Sequence, residues 1–190
     1  KIKSLFICMG LFAKETNNNL INFIQSKFIR FLIGEFENVI FLSKHELEEA
    51  RRRFPEFKNK FVYIPFAIDT NFWSKNKKAL RKKILFIGND GRRDYKKVID
   101  IAKKLPEYEF VFITSQINAQ EKLSKNVELV QGHWNLSKLS DKQIRNYYED
   151  AKLTIIPLID SFQPSGQSVA LQSMSMEVPV LISETKGFWD

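Results

Sequence analysis

The sequence predicts an α/β protein built on parallel sheets. Two observations carry this reading. Short apolar runs of strand length alternate with segments whose apolar residues recur at helical spacing, the pattern of βα units. The runs are continuously apolar rather than alternating, as strands covered on both faces are.

Residues 5–9 (LFICM) form the first run and are expected to be a strand buried on both faces. From 19 to 33, Leu20, Phe23, Ile24, Phe28, Phe31 and Leu32 recur at helical spacing. This amphipathic helix is expected to pack on the core, with Lys27 and Arg30 leaving a membrane-surface contact open. A second strand is expected at 38–42. Ser43 and Glu46 then make a capping box for a helix that stops at Pro55. A third strand follows at 61–65. NFWSKNKKALRKK, residues 71–83, reads as a solvated linker, six of the nine residues from 75 to 83 being Lys or Arg. The domain boundary is therefore placed at 78/79, with a domain of residues 1–78 before it and one of 79–190 after. Beyond it, strands are expected at 84–88, 109–114, 126–130, 153–158 and 179–183, with helices at 96–105, 140–151 and 168–176. Ligands bind outside the carboxyl ends of such strands, so loops 88–96, 114–118 and 159–167 should line a site.

Composition narrows the partners. The net charge is +8, from 30 basic and 22 acidic side chains, which suits an anionic ligand or surface. The single cysteine, Cys8, lies in an apolar run and reads as a buried structural thiol. One cysteine and two histidines, His45 and His133, give no basis for a metal cluster. No apolar run reaches the length of a membrane span. The opening on a strand and the stop just after one lead us to expect further sequence on both sides.

Two stretches carry chemistry. GNDGRRDYKK, residues 88–97, runs from a strand end into a helix. Its glycines permit a tight turn, the helix N-terminus favours anions, and Arg92, Arg93 and Lys96 add positive charge. Arg holds a phosphate through paired hydrogen bonds, so the loop suits a diphosphate; it is neither a Walker loop nor G-x-G-x-x-G. The second stretch, residues 160–180, is a Pro/Ser/Gly loop that opens another helix. Backbone N–H groups of Gly166, Gln167 and Ser168 could hold phosphate oxygens, and Gln172 lies one turn after Ser168 on the same helix face.

Taken in order, FLSKHELEEARRRF, VYIPFAIDTNFW, ILFIGNDGRRDYKK, IRNYYEDAKLTIIPL and PSGQSVALQSMSMEVPVLIS resemble glycosyltransferase family 4, over nearly the whole chain from Asn38. The resemblance implies a GT-B fold: a nucleotide-sugar (donor) domain preceded by the last part of a second Rossmann-like domain on the acceptor side. It implies a retaining, hexosyltransferase-like enzyme. Arg93 and Lys96 match the basic pair that holds the donor diphosphate, with Arg92 as the alternative. Gly88 and Asn89 belong to the same donor-binding loop, and Ser165, Gly166, Gln167 and Ser168 to the donor-contacting stretch. Gln172 falls where the family's second glutamate meets the donor ribose, and Pro164 where the first meets the sugar. Neither carboxylate of the E-x7-E element is present, so Ser165 and Gln167 take over sugar recognition or activity has been lost. Ala67 and Glu177 replace family glycines.

The implied reaction moves a sugar from a nucleotide-sugar to a hydroxyl of a glycan or lipid-linked acceptor in polysaccharide biosynthesis. It is expected in the cytoplasm, with membrane association left open, and needs no cofactor or metal. Two alternatives stay open: a non-catalytic GT-B-like module and a GT-B-fold sugar-nucleotide epimerase. Nucleic acid is not an expected partner, although Phe72, Trp73 and Tyr95 lie near basic residues.

Overall fold

The computed structural model describes residues 4–13, 17–75, 81–132 and 139–187. They form two compact units. The first gathers described residues up to 66 with 160–165 and 184–187; the second gathers 67–159 with 166–183. The 78/79 boundary, His133 and the last three residues lie outside the described residues. Residues 67–75, read from sequence as the end of the first domain, cluster with the second unit.

The first unit is a three-stranded parallel sheet, β1 (Leu5–Cys8), β2 (Asn38–Phe41) and β3 (Phe61–Tyr63), in that spatial order. Helix α1 (Asn19–Glu35) connects β1 to β2, and α2 (Lys44–Arg53), followed by a 3-10 helix at Pro55–Lys60, connects β2 to β3. Asn18 starts α1, its side chain accepting from the N–H groups of Leu20 and Ile21. Cys8, Ile33, Val39, Phe41, Leu47 and Phe54 pack into one core. The buried thiol of Cys8 is therefore part of the packing, as its apolar neighbours suggest.

Two expectations fail here. β1 is buried on one face only: Cys8 is buried, while Leu5, Ile7 and Met9 are exposed. Ile7, Ile40 and Val62 stand in one row across the sheet, and Val62 and Ile64 are exposed as well. Among the described residues, both crossover helices contribute to the other side, in the core built on Cys8, Val39 and Phe41. Likewise α1 turns Ile33, with Ile29, into the core and leaves Leu20, Phe23, Ile24, Phe28 and Phe31 exposed. The helix is apolar on more than one side, so periodicity alone could not choose the buried one.

The capping box is only half formed. Ser43 accepts from the Glu46 N–H at 3.4 Å, but the Glu46 carboxylate turns away from the helix. Its Oε1 accepts from the Leu11 N–H and from the Cys8 thiol at 3.6 Å, while Oε2 has no hydrogen-bond partner. Burial pushes this carboxyl above its ordinary range, against the opposing effect of the loop N–H groups. A raised folded-state value means that folding takes up a proton. The associated stability is fully present below the unfolded carboxylate value and is lost as pH rises through the folded one. Glu46→Gln keeps the acceptor for Leu11 and removes that decline. Urea unfolding between pH 5 and 8 should show a flatter profile for the variant; equal slopes for the two proteins would contradict this account.

The second unit is a five-stranded parallel sheet. Its elements are β4 (Lys83–Ile87), α3 (Tyr95–Lys104), β5 (Phe110–Ile113), β6 (Val127–Val130), α4 (Asp141–Asp150), β7 (Ala151–Ile156), α5 (Gln167–Ser175) and β8 (Val180–Ile182). The spatial order is β6-β5-β4-β7-β8. The chain moves outward from β4 and then returns to its other side, so a topological switch point lies between β4 and β7. Both faces are covered. Phe86 and Phe112 pack with Val98, Ile99 and Ala102 of α3 on one side. Leu85, Val111 and Tyr148 pack with Trp73 and Met176 on the other. Each fully buried phenylalanine contributes roughly 1.5–3 kcal/mol relative to an exposed one.

Trp73 is buried in this core, so the described start of the segment read as a solvated linker is anchored to the second unit. The Arg145 side chain donates to the Phe72 carbonyl at 3.1 Å and lies over the Phe72 ring. Nearby cations are engaged: Lys75 with Glu177 at 2.8 Å, Lys83 with Glu128 at 2.8 Å, and Arg81 with the Met176 and Glu177 carbonyls at the end of α5. Glu177 itself has φ 55, the left-handed region where a glycine is at ease.

Candidate functional site

A cavity of about 600 Å³ opens in the second unit beyond the carboxyl ends of β4 and β5. That volume is in the range of small-molecule sites. Five of the sequence-predicted residues line it: Gly88, Asn89, Arg93, Ser168 and Gln172. Trp73, Asp90, Ile113, Gly132, Asp141 and Ile144 complete much of the wall.

Arg93 is the centre of the arrangement. It is only 4% exposed. Its Nε donates to the Ile87 carbonyl at 3.3 Å, and its Nη1 lies 3.0 Å from Asp90 Oδ2. Burial lowers the guanidinium pKa and the Asp90 carboxylate opposes that shift; an arginine stays charged regardless. Gly88 makes room for it: a Cβ there would stand 2.4 Å from Arg93 Nε and 2.6 Å from Cγ. Gly166, the N-cap of α5 at φ 87, lies close to the same guanidinium. A Cβ on Gly166 would meet Ile156 Cγ2 at 2.9 Å and Arg93 Nη1 at 3.4 Å. A buried cation thus sits against the start of a helix, whose unsatisfied N–H groups are themselves a positive end. Asp90 offsets part of this. An anionic ligand would offset the rest.

The loop is held in shape by its own polar groups. Asp90 Oδ1 accepts from the Arg92 N–H at 2.9 Å. The Tyr95 hydroxyl donates to the Asp90 carbonyl at 2.9 Å, with the Gly88 carbonyl oxygen 3.3 Å away. Burial raises the Tyr95 phenol to about 12, so it remains a donor at neutral pH. Asp94 caps α3 through the Lys97 N–H at 2.9 Å. The Asp94 N–H donates to the Pro157 carbonyl and the Ile159 N–H to the Arg92 carbonyl, each at 2.9 Å. These tie the loop to the end of β7. Asn89 acts as a brace: Oδ1 accepts from the Ser115 N–H at 2.6 Å and from the Thr114 hydroxyl at 3.2 Å, while Nδ2 donates to the Gly132 carbonyl at 2.8 Å. Its amide joins the ends of three strands.

The structure does not gather all the expected residues. Lys96 is exposed on the first turn of α3, over a separate shallow groove of about 330 Å³ shared with Asp94, Lys97, Asp100 and Lys104. Arg92 is half-buried and engaged through its backbone. Ser165 is buried and groups with the first unit, while Gly166 and Gln167 begin α5 in the second. None of these five is among the residues lining the large cavity. Sequence reasoning missed Trp73, Tyr148 and Ile144. Their only signal was helical or apolar periodicity, which core residues share.

No protein-family model matches the sequence, and neither does any curated protein. Solved structures do match. A glycosyltransferase from Rickettsia africae ESF-5 superposes with a TM-score of 0.68 at 11% identity, over 96% of this chain and 52% of that one. Anabaena HepE in complex with UDP-glucose superposes with a TM-score of 0.65 at 12% identity, over 96% and 54%. HepE in complex with UDP gives a TM-score of 0.66 at 12% identity, over the same shares. The chain spans about half the length of these proteins. At such identities the likeness establishes the fold: Rossmann-like parallel sheets of the kind found in GT-B glycosyltransferase structures.

Proposed function

We propose that this chain carries the donor-binding half of a nucleotide-sugar-dependent glycosyltransferase, a retaining enzyme of the family 4 type. The observation that carries the reading is the buried Arg93 guanidinium against the start of α5, beside a cavity at the sheet's switch point. The anion that fits is a nucleoside diphosphate. The UDP-bound neighbours of the same fold are in keeping with this.

In the proposed reaction the bond from the sugar to the diphosphate breaks, its electron pair passes to the leaving diphosphate oxygen, and a hydroxyl of a glycan or lipid-linked acceptor takes the sugar and gives its proton to the departing diphosphate. Arg93 and the N–H groups opening α5 stabilise the departing charge; a preorganised donor of this kind is worth about 3 kcal/mol in the transition state. Lys96, exposed on α3, would meet only the outer end of the donor. A peripheral membrane contact through α1 belongs to the same proposal, supported by exposed Phe23, Phe28 and Phe31 beside Lys27 and Arg30. No helix of the described residues is long and apolar enough to cross a membrane. Calorimetry with UDP, GDP, ADP and CDP tests the reading: one should bind in the micromolar-to-millimolar range. Unchanged binding in the double variant Arg93→Ala, Lys96→Ala would sink the site.

A specific observation supports a second reading. Pro164 and Gln172 stand where the family places two carboxylates, which favours a non-catalytic nucleotide-binding module. The complete protein turning over no member of a nucleotide-sugar panel, while still binding nucleotide, would decide for it.

A further inference from the structure

We infer that Asp90 limits the negative charge the cavity accepts, so that the site does not hold the free nucleoside diphosphate left after transfer more tightly than the esterified diphosphate of a nucleotide-sugar. The inference rests on the nucleotide reading above and concerns how the site tells substrate from product.

The chain carries a net charge of +8, yet the cavity does not share it. Among the described residues its wall holds one cation, Arg93, against two carboxylates, Asp90 and Asp141. Arg92 and Lys96 do not line it. The pull on an anion therefore comes from Arg93 and the start of α5, with a carboxylate beside them. Asp90 Oδ2 lies 3.0 Å from Arg93 Nη1. Its Oδ1 accepts from the Arg92 N–H at 2.9 Å, and its carbonyl accepts from the Tyr95 hydroxyl at 2.9 Å. The last two contacts do not involve the Arg93 side chain, so they keep the carboxylate in place when an anion reaches the guanidinium. Phosphate and carboxylate then share one guanidinium, with their charges roughly 6 Å apart, two hydrogen-bond lengths.

Substrate and product differ in charge at this point. Each phosphate of a nucleotide-sugar is doubly substituted and carries one negative charge. Loss of the sugar bares a terminal phosphate that carries about −1.5 to −2 at pH 7. The added charge is attracted by Arg93 and repelled by Asp90, and the two effects offset. An arginine without its carboxylate would grip the product harder than the substrate.

The test is calorimetry near pH 7 with UDP, GDP, ADP and CDP, each beside its terminal-phosphate methyl ester. The ester blocks the second ionisation without adding sugar contacts. In the parent chain the ester should bind within about twofold of the free diphosphate. Asp90→Asn keeps the side-chain shape and the acceptor for Arg92. It should tighten the free diphosphate about five- to tenfold and the ester only about two- to threefold. A parent that prefers the free diphosphate by more than about twofold overturns the inference. So does an Asp90→Asn variant that tightens both equally or weakens both, the last being the mark of a carboxylate that only steadies Arg93. These outcomes leave nucleotide binding standing. Should Asp90→Asn fail to fold, the parent's ratio decides alone. A parent chain that binds none of the four diphosphates in either form overturns both readings.

Discussion

Arg93→Ala is expected to lower nucleoside diphosphate affinity by about 100-fold, the largest effect of any single change in the cavity. Two charge-assisted hydrogen bonds to phosphate, at about 1.5–3 kcal/mol each, account for at least that. The loss has a second component. Without the guanidinium, the half-buried Asp90 carboxylate stands against the ligand with its ion pair gone, so the site changes from attracting an anion to repelling one. Arg93→Lys should rescue little, because an ammonium cannot contact Ile87, Asp90 and a phosphate in the same plane. Lys96→Ala alone should cost far less, since Lys96 is exposed and does not line the cavity. Isothermal titration of the three variants checks the order. A larger loss from Lys96→Ala than from Arg93→Ala would reverse the assignment.

Gly166→Ala should be the most damaging small substitution, for reasons of backbone and of space. At φ 87 an alanine pays the left-handed penalty, on the order of 1–2 kcal/mol. Its methyl would also stand 2.9 Å from Ile156 Cγ2, a fully buried side chain with little freedom to give way. Together these predict a loss of about 2–3 kcal/mol in unfolding free energy. Nucleotide affinity should fall as well, because relieving the clash with Ile156 displaces the start of α5 beside Arg93 Nη1. Gly91→Ala is the control. Nothing lies within 4 Å of a Cβ at that position, and its stability should match the parent's. Urea unfolding of both variants distinguishes strain at Gly166 from a general intolerance of these loops.

That contrast shows what the sequence could and could not convey. GNDGRRDYKK displays two glycines and four cations with equal prominence. Only in three dimensions does Gly88 become the floor under Arg93 while Gly91 faces open space. Residue type alone likewise could not separate buried Arg93 from exposed Lys96. The central strands β4 and β5 were legible because they are covered on both faces, and α3 because it has one dominant apolar side. In the first unit the same rule misled. LFICM reads as doubly buried, yet Leu5 and Ile7 face water.

The bare face of the first sheet has a consequence for how the protein behaves at concentration. Leu5, Ile7, Met9, Val62 and Ile64 form an adhesive patch beside β1, which stands at the edge of its sheet. Mutual repulsion from a net charge of +8 is the long-range force that keeps such molecules apart. Added salt screens that repulsion within about 8 Å at physiological strength and leaves apolar adhesion intact. Solubility of the isolated chain should therefore fall as ionic strength rises, and sulfate should precipitate it sooner than chloride.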